Sequence, residues 1–319
     1  MKFSCLIVLV ASALCRIAAA SEADAYPARP VRIVVPFSAG SASDSAARIL
    51  ADEVRKRFGA TVVVDNRPGA SGIIGAAFVA KAAPDGYTFI LTSSSTHSAI
   101  SALFRSPGYD PLTDFVHIAR IATIPMALVA RPGAPFKTVA QLVAASKTTH
   151  LRYGYGSGSS QIAAATFSAV ADVTADAIPY KSQPPAVTDL LGGQIDYLFA
   201  DLSVVSNFLK AGRLQGLAIT TTQRSAELPQ LPTLAESGFS SFDLVVWVGL
   251  AAPADTPPAI VDRWNKEIAA ALAQPNVAAQ FARLGMAVSP NSPQQHARFT
   301  KEQAAVWTHR AKSARVEQQ

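Results

Sequence analysis

What constrains this chain most is the way β-branched runs empty into small-residue loops and then resume at helical spacing. In "VRIVVPFSAGSASDSAARIL", residues 31–50, the first six residues read as a buried-type strand. Ala47, Leu50, Ala51, Val54 and Phe58 then fall at i, i+3, i+4, i+7 and i+11, one face of a helix. "TVVVDN" follows as a second strand, "RPGASG" leads into a helix from about Ile73 to Lys81, "PDG" stops it, and "YTFILTSS" is a third strand. Strand–helix–strand–helix–strand needs crossovers, and crossovers demand a parallel sheet.

A similar unit returns later. "MALVARP" and "LRYGYG" read as strands on either side of "TVAQLVAASK"; helix "SSQIAAATFSAVA", strand "ADAIPY", helix "PPAVTDLLGG" and strand "IDYLFAD" come next. Two α/β lobes follow, and 319 residues give each enough chain for its own core. Long apolar strands near 121–132 and 242–253 are each expected to run from one lobe to the other. Beyond them, Val261, Trp264, Ile268 and Leu272 mark one amphipathic helix face, and "PQQHARFTKEQAAVWTHRAKSA" reads as a terminal helix. The expected fold is therefore α/β and two-lobed, each lobe a mostly parallel sheet flanked by helices, joined by a two-strand hinge. Residues 26–125 and 247–319 make the first lobe and residues 126–246 the second.

Residues 1–25 read as a signal peptide: Lys2, an uncharged stretch from Phe3 to Cys15, and small-residue cleavage patterns at Ala18-Ala19-Ala20 and Ala23-Asp24-Ala25. Cleavage near residue 20 or 25 starts the mature chain near Ser21 or Tyr26. The apolar run of about 13 residues falls short of the roughly 20 needed to span a bilayer, and Arg16 ends it. Both cysteines, Cys5 and Cys15, lie in this leader, and Ser12-Ala13-Leu14 is a poor match to a lipoprotein cleavage site. The mature protein is expected to hold no disulfide, thiol nucleophile or thiolate metal site. The net charge of +6 is scattered, as at Arg55-Lys56-Arg57 and at Arg310, Lys312 and Arg315, without aromatic interleaving. That pattern suits solvated helix faces rather than a nucleic-acid patch and implies only a weak pull on anions.

In a parallel sheet each strand's carboxyl end feeds a helix N-terminus, so ligands collect along that edge, where free N–H groups favour negative charge. The first lobe offers "FSAGSASD", "RPGASGIIG" and "TSSSTHS", all small and hydroxyl-rich. Ala39, Gly40 and Ser41 let a ligand approach the main chain, whose bare amides can hold a carboxylate without a charged partner. Asp44 is open to two readings, a helix cap or a contact to ligand or its water shell. The facing lobe offers "YGYGSGSSQ", "PYKS" at 179–182 and "FADLS" at 199–203. Taken singly these are weak signals, since a glycine cluster also makes plain turns and Lys181 also suits the surface.

Enzyme motifs are missing from these loops. Residues 154–160 lack G-x-S-x-G spacing, "SAGSAS" lacks both the G-x-G-x-x-G fingerprint and a phosphate-loop lysine, and none of the five histidines pairs at metal-ligand spacing. Asp65 ends the second strand as in a dinucleotide fold, but the glycines beside it are too few. No cofactor and no metal are expected. His97, after "TSSST", is open to catalysis, ligand contact or helix-start packing.

With these residues in view, the chain resembles a Bug-type solute-binding protein, the TctC-like extracytoplasmic subunit of the tripartite tricarboxylate transporter family. The resemblance runs through "YPARPVRIVVPFSAGSASD", "VVVDNRPGASGIIGA", "KAAPDGYTFILTSSSTH", "YDPLTDF", "IPYKS", "VTDLLGGQIDYLFAD", "LPTLAESG" and "APADTPPAIVDRWNKEI". It implies a periplasmic Venus-flytrap receptor, monomeric and without nucleic acid. Such a receptor grips a small organic acid through helix-start amides and ordered waters and delivers it to membrane permease subunits. The ligand classes implied are di- or tricarboxylates, acidic amino acids and aromatic acids. Carried over, the first-lobe contacts fall on Phe37, Ser38, Ala39, Gly40, Asp44, Ser94, Ser95, Thr96 and His97. The second-lobe contacts fall on Gly156, Ser157, Ser159, Ser160, Tyr180, Lys181 and Asp201. The chain departs from the usual pattern inside the binding loops. Ala39-Gly40-Ser41 stands for "PGG", Tyr180-Lys181-Ser182-Gln183 for "YKGG", Tyr155 for a small residue and Ile162 for a frequent His. Tyr155 and Gln183 are expected to narrow the pocket or favour a flat, aromatic acid. Two rival roles stand beside transport: a sensor component for a signalling system, and a secreted hydrolase or isomerase using His97 with Ser94.

Overall fold

A computed structural model describes residues 26–59, 61–240 and 242–319; the expected signal peptide and its cleavage points lie outside the described residues. Strand β1 (Val31–Val35) buries every residue except Arg32, as a strand covered on both faces must. It pairs in parallel with β2 (Val62–Asn66) on one side and β3 (Thr88–Ser93) on the other. Helix α1 (Ala42–Phe58) crosses between β1 and β2, closed at its end by Gly59 in the left-handed region at φ 66°. Helix α2 (Ile73–Ala80) crosses between β2 and β3. This is the parallel unit that the strand and helix periodicities predict.

The long strand β4 (Phe115–Ala130) follows and begins six residues before the expected apolar run, because His117 and Arg120 interrupt the hydrophobic pattern without breaking the strand. Helix α3 (Val139–Ser146) leads to β5 (Leu151–Tyr155), and α4 (Gly158–Ala171), β6 (Ala175–Pro179), α5 (Gln183–Leu191) and β7 (Tyr197–Asp201) complete a second α/β unit. Helix α6 (Leu202–Lys210) starts directly at the end of β7, and β8 (Gln215–Ile219) follows. The chain returns through β9 (Val245–Pro253), and α7 (Pro258–Leu272), α8 (Pro275–Arg283), β10 (Ala287–Val288) and α9 (Pro293–Ser313) finish it.

The strands form one continuous order, β2-β1-β3-β9-β4-β7-β5-β6, with β8 and β10 also paired to β4. Residues 115–125 of β4 pair antiparallel with β9, and residues 126–130 pair with β7 and β8. Two expectations change here. "MALVARP" is not the first strand of a parallel repeat; it runs antiparallel to β7, because its direction is already set by β9 in the other half. The second crossing segment is also shorter as a strand: β9 starts at Val245, and Leu244 before it is hydrogen-bonded to Thr220 at both its amide and its carbonyl.

In the first half's core, the predicted α7 face is buried at Val261, Trp264, Ile268 and Leu272. The Trp264 ring packs against Phe89 and Phe58, at centroid distances of 4.4 and 5.2 Å, and its Nε1 donates to the Tyr26 hydroxyl at 2.7 Å. That hydroxyl donates in turn to the Gly86 carbonyl at 2.5 Å, so one indole ties the start of the described chain to the β2–β3 side. Trp264→Ala is therefore expected to destabilise the protein by about 3–5 kcal/mol, read as a lower urea midpoint at unchanged slope.

Candidate ligand-binding site

Four helix starts converge where the two halves meet. Ser41 caps α1, its Oγ accepting the Asp44 amide at 3.2 Å; Ala42 and Ser43, whose amides precede the first intrahelical bond, line the cavity. Ser157 caps α4 in a reciprocal box: its Oγ accepts the Ser160 amide at 3.2 Å, and Ser160 Oγ accepts the Ser157 amide at 3.1 Å. Ser182 and Asp201 precede α5 and α6, and neither side chain caps its own helix. The wall is completed by Ser93, Ser94, Ser95, Ser159 and Gln183, with Phe37, Ile124 and residues 246–248 as its apolar part. Among the described residues, no lysine or arginine lines it. The positive field inside comes from main-chain N–H groups and helix dipoles.

The halves touch across this cavity through small polar groups. The Ser38 amide donates to Ser182 Oγ at 3.3 Å, Ser95 and Ser159 hydroxyls lie 2.9 Å apart, and the Ser159 amide donates to Ser95 Oγ at 3.1 Å. The cavity measures about 20 Å³, room for roughly one water. Gly156 sets how closely the second half's own loops sit: a Cβ there would lie 2.1 Å from the Ser182 carbonyl carbon and 2.3 Å from the Gln183 nitrogen.

Asp44 stands behind the first loop rather than at the head of its helix, so the capping reading is corrected: Ser41 is the cap. The Asp44 carboxylate accepts from the Gly40 amide at 3.0 Å, Arg48 Nε at 3.0 Å and Asn66 Nδ2 at 2.9 Å, and Asn66 also donates to the Phe37 carbonyl. Burial by itself would raise this carboxyl, but those hydrogen bonds and the guanidinium charge outweigh it and hold the group below its ordinary range. Asp44 thus fixes the shape of residues 37–40.

Asp201 is the opposite case. Its amide donates to Gln183 Oε1 at 2.8 Å, but its Oδ1 is cut off from solvent with no hydrogen-bond partner, although the residue as a whole is partly accessible. Burial pushes the carboxyl up to about 6, with the Gln183 side chain pulling the other way.

Among the residues carried over from the resemblance, Phe37, Ser94, Ser95, Ser157, Ser159 and Asp201 line the cavity. Ser38 crosses to Ser182, while Ala39 and Gly40 are exposed. Ser160 is spent in the α4 box, and Thr96 Oγ1 on the Ser93 amide and His97 Nδ1. The Tyr180 hydroxyl donates to Asp189 at 2.8 Å and Lys181 is exposed, so neither stands on the wall. Of the two expected narrowing residues, Gln183 lines the cavity and Tyr155 does not; its ring sits beside Tyr153. Ala42, Ser43, Ser93 and Trp247 were not anticipated. The first two follow a cap and were legible from it; Trp247 is placed only by the crossing strands.

His97 is fully buried in the first half, 4.8 Å from the Phe115 ring and 5.7 Å from His117, which lies 5.3 Å from His296. Burial lowers all three imidazoles, His117 to about 4. Ser94 Oγ accepts the Trp247 amide at 2.8 Å and shares no hydrogen bond with His97. These two side chains do not form a nucleophile–base pair, and helix-start packing is the reading that the geometry matches. Among the described residues, no group of three His, Cys, Asp or Glu side chains is placed to hold a metal ion.

Residues 46–314 match the model of the tripartite tricarboxylate transporter family receptor. The fold matches the periplasmic binding protein BugD with a TM-score of 0.89 at 35% identity, covering 92% of this chain and all of that one. An R. palustris protein solved with adipate matches with a TM-score of 0.88 at 34% identity, over 91% and 98% of the two chains. The Rhodopseudomonas palustris protein MatC, solved with bound malate, matches with a TM-score of 0.86 at 30% identity, over 89% and 99%. The two-lobed binding-protein fold is common to them.

Asp201 gives the site a pH signature. Its folded pKa of about 6 lies above the ordinary 3.8, so its charged form is a burden above pH 6 that lifts as pH falls towards 4. Asp201→Asn is expected to raise stability at pH 7.5 by at most about 3 kcal/mol and to leave it unchanged at pH 3.5, measured by urea unfolding at both values.

Proposed function

The chain belongs to the tripartite tricarboxylate transporter receptor family, and from that membership we propose that it is an exported receptor that closes on a small carboxylate for a membrane permease. The observation that carries this reading is the wall itself: capped helix starts aim amides and hydroxyls into one cleft that holds no lysine or arginine. A carboxylate there is held by fixed dipoles rather than by a counter-ion. Dicarboxylates bound by similar proteins, adipate in one and malate in another, support that ligand class. Phe37, Ser94, Ser95, Ser157, Ser159 and Asp201 would touch the guest, while Asp44 positions the Phe37–Gly40 loop.

The lobes in this reading are residues 26–125 with 247–319 and residues 126–246. They close about the point where β4 changes partners, between Pro125 and Met126, and the ligand stabilises the shut form. The leader of residues 1–25 directs the chain to the periplasm, where it works as a monomer without a cofactor.

Titration calorimetry with dicarboxylates of four to six carbons, di- and tricarboxylates beyond them, and aromatic acids tests this. Binding heat, a raised melting temperature and contraction in small-angle scattering are expected. Asp44→Ala is expected to weaken binding about tenfold, near 1.4 kcal/mol, in a chain that still melts cooperatively. No heat and no melting shift with any acid overturns the receptor reading; unchanged affinity in Asp44→Ala overturns the role given to that loop.

A further inference from the structure

We propose that the guest carries a hydrogen-bond donor aimed at Asp201, so that hydroxy- or amino-substituted carboxylates are selected over their unsubstituted counterparts. This rests on the receptor reading above and names its ligand class more narrowly.

Three independent features point the same way. Asp201 is the one ionisable side chain on the cavity wall among the described residues. It occupies the N-cap of α6, where an aspartate ordinarily accepts an amide of its own helix, yet it makes no such bond. Asp201 lines the cavity while its Oδ1, cut off from solvent, has no hydrogen-bond partner, and a buried acceptor left unsatisfied is unfavourable until something donates to it.

The rest of the wall says where such a donor must come from. The Ala42 and Ser43 amides and the serine hydroxyls are placed to take a carboxylate. A second carboxylate ion pressed on Asp201 would set two anions in contact, which each disfavours. A hydroxyl or an ammonium group meets this carboxylate favourably, the ammonium with charge assistance. The pocket therefore treats its two sides differently, main-chain donors on one and a side-chain acceptor on the other.

Calorimetry at pH 7.5 on matched acids tests the inference: succinate, malate and aspartate as one series, benzoate and 4-hydroxybenzoate as another. In whichever series binds, the donor-bearing acid is expected to bind at least tenfold more tightly than the plain one. Asp201→Ala is expected to bring the two within threefold. Asp201→Asn separates the two donor chemistries, since its amide oxygen still accepts a hydroxyl but no longer pairs with a charge: retained malate binding with lost aspartate binding assigns ammonium recognition. Both variants are checked for cooperative melting first. Plain and substituted acids bound equally by the native protein, or a preference that survives Asp201→Ala, overturns this inference alone. Silence towards every acid in both series and in the wider panel overturns the receptor reading, and this one with it.

Discussion

Strand β4 serves two sheets at once, and the relative placement of every loop at the cavity depends on that shared backbone. The exchange falls at Pro125, which has no N–H to give the ladder, so a change of partner there wastes no donor. Immediately beyond it, the Met126 amide donates to Thr220 Oγ1 at 3.0 Å, the Thr220 amide donates to the Met126 carbonyl at 2.9 Å, and Thr220 Oγ1 reaches the Leu244 carbonyl at 2.6 Å. One threonine thus ties the outgoing strand to the returning segment. The join is narrow in hydrogen bonds but continuous in β-structure.

From that constraint the site follows by geometry. In each half, parallel strands deliver helix starts to the same edge, and joining the halves through β4 sets those edges face to face. Serines dominate the wall because a small hydroxyl can cap its own helix and meet the opposite loop with little bulk. Ser95 and Ser182 do the second across the cleft, and Ser41 and Ser157 do the first. Glycine is needed where backbone meets backbone, at Gly156 against Ser182 and Gln183. A larger residue there would hold α5 away from the wall.

The parallel unit of the first half was legible because its strands are β-branched and its helices keep a clean apolar face. The capped loops were legible for a local reason too: a serine before a helix and small residues around it depend on nothing distant. What failed to show depends on the join. The start of β4 is hidden by His117 and Arg120, which look like loop residues until β9 and β10 cover the strand. Helix α6 goes unpredicted because Asp201-Leu202-Ser203 follows its strand without a linker. His97 could not be settled locally, since its burial is completed by Phe115, His117 and neighbours from the far end of the chain. Trp247 and Gln183 enter the wall only when the halves meet.

Acid treatment acts on this molecule in two opposed ways. The three neutral imidazoles of the first half, lowered by burial, favour folding while they stay uncharged; an unfolded chain takes up protons on them below about pH 6.5, so their contribution is lost progressively as pH falls below that value. Asp201 moves the other way, since its buried carboxyl is easier to keep when protonated. The histidines lie in one half's core and Asp201 at the junction, so a mildly acidic medium loosens the scaffold while easing the strain at the cleft. Proton uptake by the cleft and by the core therefore separates in space: the first changes what the wall can accept, and the second changes how firmly the wall is held.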